Sequence, residues 1–214
     1  QAEPFFLYLA HSMPHLPIST SKEFLGKSKG GLYGDVIETI DWSMGEIFKT
    51  LKETGLDENT IVVFTSDNGP WQNLPDRMLQ KGVEETHSGS AGLLRGAKAT
   101  THEGGFRVPA IIRWPNQIEA GQVSRATVTT MDLFVTALHL AKAKTPSDRK
   151  IDGHNIYAHL KGEDYNRTDP FFYCFGNKLE AVRQGKWKLR HTEADGQTLY
   201  DLDLDPSEMY NVAE

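Results

Sequence analysis

The chain has 214 residues, 38% hydrophobic and 10% aromatic, enough for one sizeable core and a small appendage. Its net charge of −6 lacks the basic surface that nonspecific nucleic-acid binding needs, and no apolar run approaches the roughly twenty residues that span a bilayer. A single cysteine excludes an internal disulfide, and the opening Gln1-Ala2-Glu3-Pro4 has neither region of a signal peptide, which by itself leaves export open.

The first expected element is an apolar strand over residues 5–10, followed by His11-Ser12-Met13-Pro14-His15-Leu16-Pro17. A helix follows, with Ile37, Ile40, Met44, Ile47, Phe48 and Leu51 on one stripe and Gly55 as its stop. Residues 61–65 read as a strand buried on both faces. Strand, helix, strand is a βαβ unit whose parallel strands bring the residues after Ala10 and after Ser66 to one sheet edge, with His15 near Asp67. Residues 70–92 have no clear period and read as a long loop. Residues 108–114 form another buried strand, and Thr129 or Thr130 caps a helix carrying Leu133, Phe134, Ala137, Leu138 and Ala141. From about Asp169 the texture changes to short alternating runs, 171–175, 180–183, 187–191 and 198–202, separated by glycine turns. They read as a small antiparallel sheet.

Three clusters carry chemistry. Asp67-Asn68-Gly69-Pro70 closes the strand over residues 61–65, where open α/β proteins bind ligands, and its carboxylate and amide offer hard oxygens suited to Ca²⁺ or Mg²⁺. Taken alone, the tetrapeptide reads rather as a turn. Leu94-Arg95-Gly96-Ala97-Lys98 running into Thr100-Thr101-His102-Glu103-Gly104-Gly105-Phe106-Arg107-Val108-Pro109 gathers Arg95, Lys98, Arg107 and His102 around glycines, a composition suited to an anion. The third cluster is the His-x-Pro segment at His15.

These clusters, in this order, resemble the formylglycine-dependent sulfatases of the arylsulfatase type. The Lys98 motif is the specific one. Leu199-Tyr200-Asp201-Leu202, Asp205-Pro206-Ser207-Glu208 and Asn211 are similar to that family's C-terminal signature, so the likeness covers the whole chain. The fold it implies is α/β and alkaline-phosphatase-like: a mostly parallel sheet sandwiched by helices over residues 1–165, with a small antiparallel subdomain over 166–214. The function it implies is sulfate-ester hydrolysis. The alternatives are a phosphatase, phosphodiesterase or phosphotransferase of the same fold, and a noncatalytic module that binds sulfated ligands. Two-metal members usually place a histidine after the strand-end aspartate, so Asn68 favours the one-calcium sulfatase type.

By that resemblance Asp67 and Asn68 are calcium ligands, Lys98 contacts the substrate sulfate, and His15 binds sulfate or protonates the leaving oxygen. His102 stands behind the site, Glu103 and Arg107 form a structural pair, and His11 caps or packs beneath its loop. Asp35 and Asp41 read as solvent-face charges or caps, and Asn166-Arg167-Thr168 as a chance match to the glycosylation sequon. The family's nucleophile, a Cys-x-Pro-Ser-Arg cysteine oxidised to formylglycine, has no counterpart here, nor does its paired N-terminal aspartate. Cys174 reads as a small buried hydrophobe. The chain is therefore expected to be the C-terminal portion of a sulfatase, inactive alone, whose partners are its missing N-terminal half and an aryl sulfate or sulfated carbohydrate. Weak Ca²⁺ binding is expected, unless Glu84, Glu85 or Glu103 completes the shell. The family's usual compartments are periplasmic, secreted or lysosomal.

Overall fold

The computed structural model describes residues 3–72, 79–81, 83 and 88–213. The chain divides into two compact units, Gln1–Thr54 with Trp71–Ser90, and Gly55–Pro70 with Ala91–Glu214.

The first unit is organised by helix α1 (Gly31–Glu53). Of the expected stripe Leu51 is buried, Ile40, Met44, Ile47 and Phe48 are half-buried, and Ile37 is exposed. Val36 joins Ile18 and Val83 in a small core flanked by Met13, Leu16, Leu32, Tyr33 and Ile40. Gly55, just past the C-cap Thr54, takes the left-handed conformation at φ +70 that the stop signal anticipates. Asp35 is not a solvent-face charge. It is buried on α1, and its carboxylate accepts the amides of Gly26, Lys27 and Ser28 at 2.8, 3.0 and 2.7 Å. Above all the Ser28 and Gly26 amides, against the opposing effect of burial, hold that carboxyl below the usual aspartate range.

Residues 5–10 form no strand. Phe6 and Tyr8 are each 81% exposed and Leu7 69%, because nothing among the described residues supplies a ladder partner or covers either face.

The second unit holds strand β1 (Val62–Thr65), helix α2 (Glu103–Phe106), strand β2 (Ala110–Arg113), helix α3 (Thr130–Leu140) and helix α4 (Tyr157–Leu160). Strands β3 (Phe171–Phe175), β4 (Lys178–Gln184), β5 (Trp187–Thr192) and β6 (Gly196–Asp201) follow. β1 pairs antiparallel with β2, from Val62 opposite Arg113 to Thr65 opposite Ala110. The expected parallel pairing of a βαβ unit is absent among the described residues, and β1 is only partly buried, with Val63 and Phe64 exposed. Arg113 donates to both carboxylate oxygens of Asp57 at 2.8 and 2.9 Å, anchoring the edge of this pair.

α3 starts at the expected cap: the Thr129 amide donates to Asp132 Oδ2 at 2.6 Å. Asp132 is fully buried and also accepts the His154 amide at 2.7 Å and the Arg167 guanidinium. The last four strands form an antiparallel meander in the order β3-β4-β5-β6, as the alternating texture anticipates. Within it β5 is inverted relative to an ordinary amphipathic strand. Lys188 and Arg190 point inward and are buried, while Trp187 and Leu189 stay exposed. Cys174, next to the register shift in β3, is exposed rather than buried, since alternation turns Tyr173 inward instead. No helix among the described residues is long and apolar enough to cross a membrane.

Candidate active site

β1 ends at Thr65, and the next residues turn sharply. The Ser66 hydroxyl donates to the Asn68 carbonyl at 3.0 Å, and the chain bends at Asp67 and Asn68. Two backbone bonds stitch this turn to the Lys98 segment. The Gly69 amide donates to Gly105 O at 3.0 Å, and the Lys98 amide donates to Pro70 O at 2.9 Å. Asp67 and Asn68 thus precede, within the same turn, the residues that bind the loop carrying Lys98.

The loop closes on itself with equal economy. The Gly104 amide donates to Arg95 O at 2.7 Å, the Gly105 amide to His102 O at 3.0 Å, and Thr100 Oγ1 to Ala97 O at 2.8 Å. A side chain at Gly105 would meet the carbonyls of Thr100 and Ala97, and one at Gly104 those of Gly96 and Arg95. The tight approach explains why the motif has a glycine pair there. Ala99, immediately after Lys98, is a non-glycine residue at φ 69, a conformation held by the bonds on either side.

Arg95 is not left unpaired beside Lys98. Its guanidinium donates to the Glu208 carbonyl at 3.0 Å and to the Tyr200 hydroxyl at 3.3 Å. Nor is Glu103 paired with the Arg107 side chain; only the Arg107 amide reaches it, at the Glu103 carbonyl. The Glu103 carboxylate, 1% exposed, accepts Lys188 Nζ at 2.9 Å, the Tyr173 hydroxyl at 2.9 Å and Arg183 Nη1 at 3.3 Å. Lys188, fully buried, also meets Glu208 Oε1 at 3.0 Å and stands 4.1 Å from the Tyr173 ring centre. Glu208 Oε2 accepts the Glu103 amide at 2.6 Å and approaches His102 Nδ1 at 3.4 Å. Burial pushes the Glu208 carboxyl up, but His102, Lys188 and the Glu103 amide together hold it below the glutamate range. Burial, then the Glu103 charge, pushes the Tyr173 phenol well above its ordinary value.

This buried cluster is not legible in the motifs. Its only signal is the period of two that puts Lys188 and Arg190 on one face of β5, a pattern ordinarily read as the solvent face.

His15 belongs to the first unit. It is exposed there, its Nδ1 lies 2.7 Å from Leu16 O, and its ring centre is 6.5 Å from that of Trp71. His11 is exposed. For a metal, Asp67 and Asn68 offer oxygen donors of the kind Ca²⁺ takes, yet no group of three or more His, Cys, Asp or Glu able to hold an ion occurs among the described residues. The donor chemistry fits and the donor number falls short of the six to eight oxygens Ca²⁺ takes. Glu103 cannot make up the difference while it holds Lys188 and Arg183, and Glu84 and Glu85 lie outside the described residues.

Mixed α/β content with a small four-stranded antiparallel sheet is the fold of the alkaline-phosphatase-like sulfatases. The chain belongs to the sulfatase family: the profile described as Sulfatase matches residues 1–143, and that described as N-sulphoglucosamine sulphohydrolase, C-terminal, matches residues 97–214. It is 46% identical over 186 residues to the N-acetylgalactosamine-6-sulfatase of Mus musculus, across 86% of this chain and 34% of that protein. A structure from the metabolism of multiple glycosaminoglycans by Bacteroides thetaiotaomicron superposes with TM-score 0.80 and 34% identity, over 99% of this chain and 47% of that one. BT4656, solved in complex with its substrate D-glucosamine-2-N,6-O-disulfate, superposes with TM-score 0.61 and 26% identity, over 85% of this chain and 37% of that one. The chain spans about a third of the length of the curated relatives it matches.

Proposed function

We propose that this chain is the C-terminal share of a sulfate-ester hydrolase, and that the whole protein removes sulfate from a sulfated carbohydrate. The observation that carries this reading is the pair of backbone bonds holding the Lys98 loop against the Asp67-Asn68 turn, in a member of the sulfatase family. Asp67 and Asn68 would hold Ca²⁺ with ligands from elsewhere in the whole protein. The bound ion would polarise the sulfate, and a formylglycine outside this sequence would supply the nucleophile. The Lys98 ammonium places a fixed charge beside oxygens that gain negative charge as the S–O bond breaks. By the resemblance of its motif, His15 would contribute a sulfate contact or the leaving-group proton. The sulfated-carbohydrate class rests on the names of the relatives, one acting on N-acetylgalactosamine 6-sulfate and another bound to a disulfated glucosamine.

Sulfate release from 6-sulfated hexosamine oligosaccharides, followed by ion chromatography, tests the proposal. The whole protein is expected to turn over, Lys98→Ala to lose about 100- to 1,000-fold in kcat, and the isolated chain to release nothing above background, for want of a nucleophile. Undiminished turnover by Lys98→Ala would overturn the role of Lys98. Turnover of phosphate esters in preference to sulfate esters would move the protein to the phosphatase reading.

A further inference from the structure

We infer that Glu208 is a positioning residue for Lys98, acting as a clamp across the neck of the Lys98 loop; the inference rests on the sulfatase reading of that loop. The segment from Arg95 to Glu103 belongs to the second unit, and both of its ends are fastened to this one residue. The Arg95 guanidinium donates to the Glu208 carbonyl at 3.0 Å, and the Glu103 amide donates to the Glu208 carboxylate at 2.6 Å. Just past Glu103 the Gly104 amide closes the neck on Arg95 O at 2.7 Å, and Lys98 lies on the loop so formed.

Glu208 is itself over-determined. It is fully buried, takes φ 52 although it is not glycine, and has its second carboxylate oxygen 3.0 Å from the equally buried Lys188. Lys188 also holds the Glu103 side chain, so the amide and the carboxylate of Glu103 are both tied into one ionic cluster. A residue in a sparsely populated backbone conformation persists only where its surroundings require it. Here they require it to face the neck of the loop. The inference gives a role to Asp205-Pro206-Ser207-Glu208, a signature with no part in the proposed chemistry. The Asp205 carboxylate accepts the amides of Met209 and Tyr210, each at 2.8 Å, and so shapes the turn on which Glu208 sits.

The consequence for catalysis is that loosening the clamp should impair the placement of Lys98 without removing any group that meets substrate. In the whole protein, Glu208→Ala is expected to raise amide exchange over residues 95–105 by about tenfold while α1 stays protected. Its kcat on a sulfated hexosamine should fall by about 100-fold, with KM changed far less. Glu208→Gln, which keeps an oxygen for the Glu103 amide, should recover part of both losses. Should Glu208→Ala fail to fold, Arg95→Met releases the other end of the neck and is expected to show the same pair of changes more weakly. A folded variant with unchanged exchange over 95–105, or with accelerated exchange and unchanged kcat, overturns the inference. If the unsubstituted protein releases no sulfate at all, the proposed function fails, and the exchange measurement alone still decides whether Glu208 clamps the loop.

Discussion

Lys188 is the residue whose environment departs furthest from its type. A lysine is almost never fully buried unless it is paired, and this one is paired twice, with Glu103 and with Glu208. Removing it takes the closest cation from two interior carboxylates, leaving Glu103 with Arg183 and Glu208 with His102 as their charged or titratable partners. Lys188→Met is therefore expected to cost about 3–5 kcal/mol, read from urea unfolding of the second unit's signal. Adding Glu103→Gln to Lys188→Met should recover part of that loss, since one of the two interior carboxylates is gone.

Glu208 predicts a pH response with a definite sign. Its carboxyl titrates below the ordinary range in the native state, so the unfolded chain takes up that proton first as pH falls. The stabilisation is present above the ordinary glutamate value of about 4.3 and is lost as pH drops through the lowered native value. Lys188, His102 and Glu103 are the charged or titratable groups facing it. Unfolding measured between pH 7 and pH 3 should show Glu208→Gln with a flatter acid limb than the unsubstituted chain. An identical limb would assign the acid loss to other carboxylates.

At the scale of elements, the Lys98 loop is a packing problem in backbone atoms. Gly105 does not need a left-handed φ; it needs to have no side chain, because a Cβ there would sit 2.6 Å from Ala97 O. Gly105→Ala is expected to cost about 1–3 kcal/mol, the usual penalty for overpacking, and to expose the Lys98 amide to exchange. Protection of that amide equal to the unsubstituted protein's would show that the loop has slack.

Elements whose cause is local were legible in the sequence: the Gly55 stop of α1, the Thr129 start of α3, and the four alternating runs of the meander all have their signal within a few residues. Lys98 was reached through the likeness of its motif to the sulfatases, and its backbone bond to Pro70 has no local signal of that kind. Elements whose cause lies far along the chain were not legible. The partners of Glu103 are 70 to 105 residues away, so the sequence offered only the adjacent Arg107 as a counter-charge. β5 misleads for the same reason: its buried lysine and arginine are explained by carboxylates and hydroxyls from other segments, including Thr101 at 3.1 Å from Arg190.

For the molecule as a whole, the run at residues 5–9 is the informative anomaly. Phe6, Leu7 and Tyr8 stand largely in water, in a chain that spans about a third of its relatives' length. An apolar run with unpaired backbone invites association. The isolated chain is expected to self-associate through this run, with Leu7→Lys and Tyr8→Lys together lowering light scattering at a fixed concentration. If further chain covers the run in the whole protein, the same two changes are expected to destabilise it there. Scattering that ignores both substitutions would place the sticky surface elsewhere.

The clamp at Glu208 also has a consequence in the order of synthesis. The Glu103 amide waits for a partner 105 residues further along, close to the end of this sequence. A ribosome that has made everything through Tyr200 has already delivered His15, Asp67, Asn68 and Lys98, but not the residue that closes the neck around Lys98. A stop codon between Leu202 and Glu208 would thus keep every donor named for the chemistry in the chain and remove the residue that closes the neck.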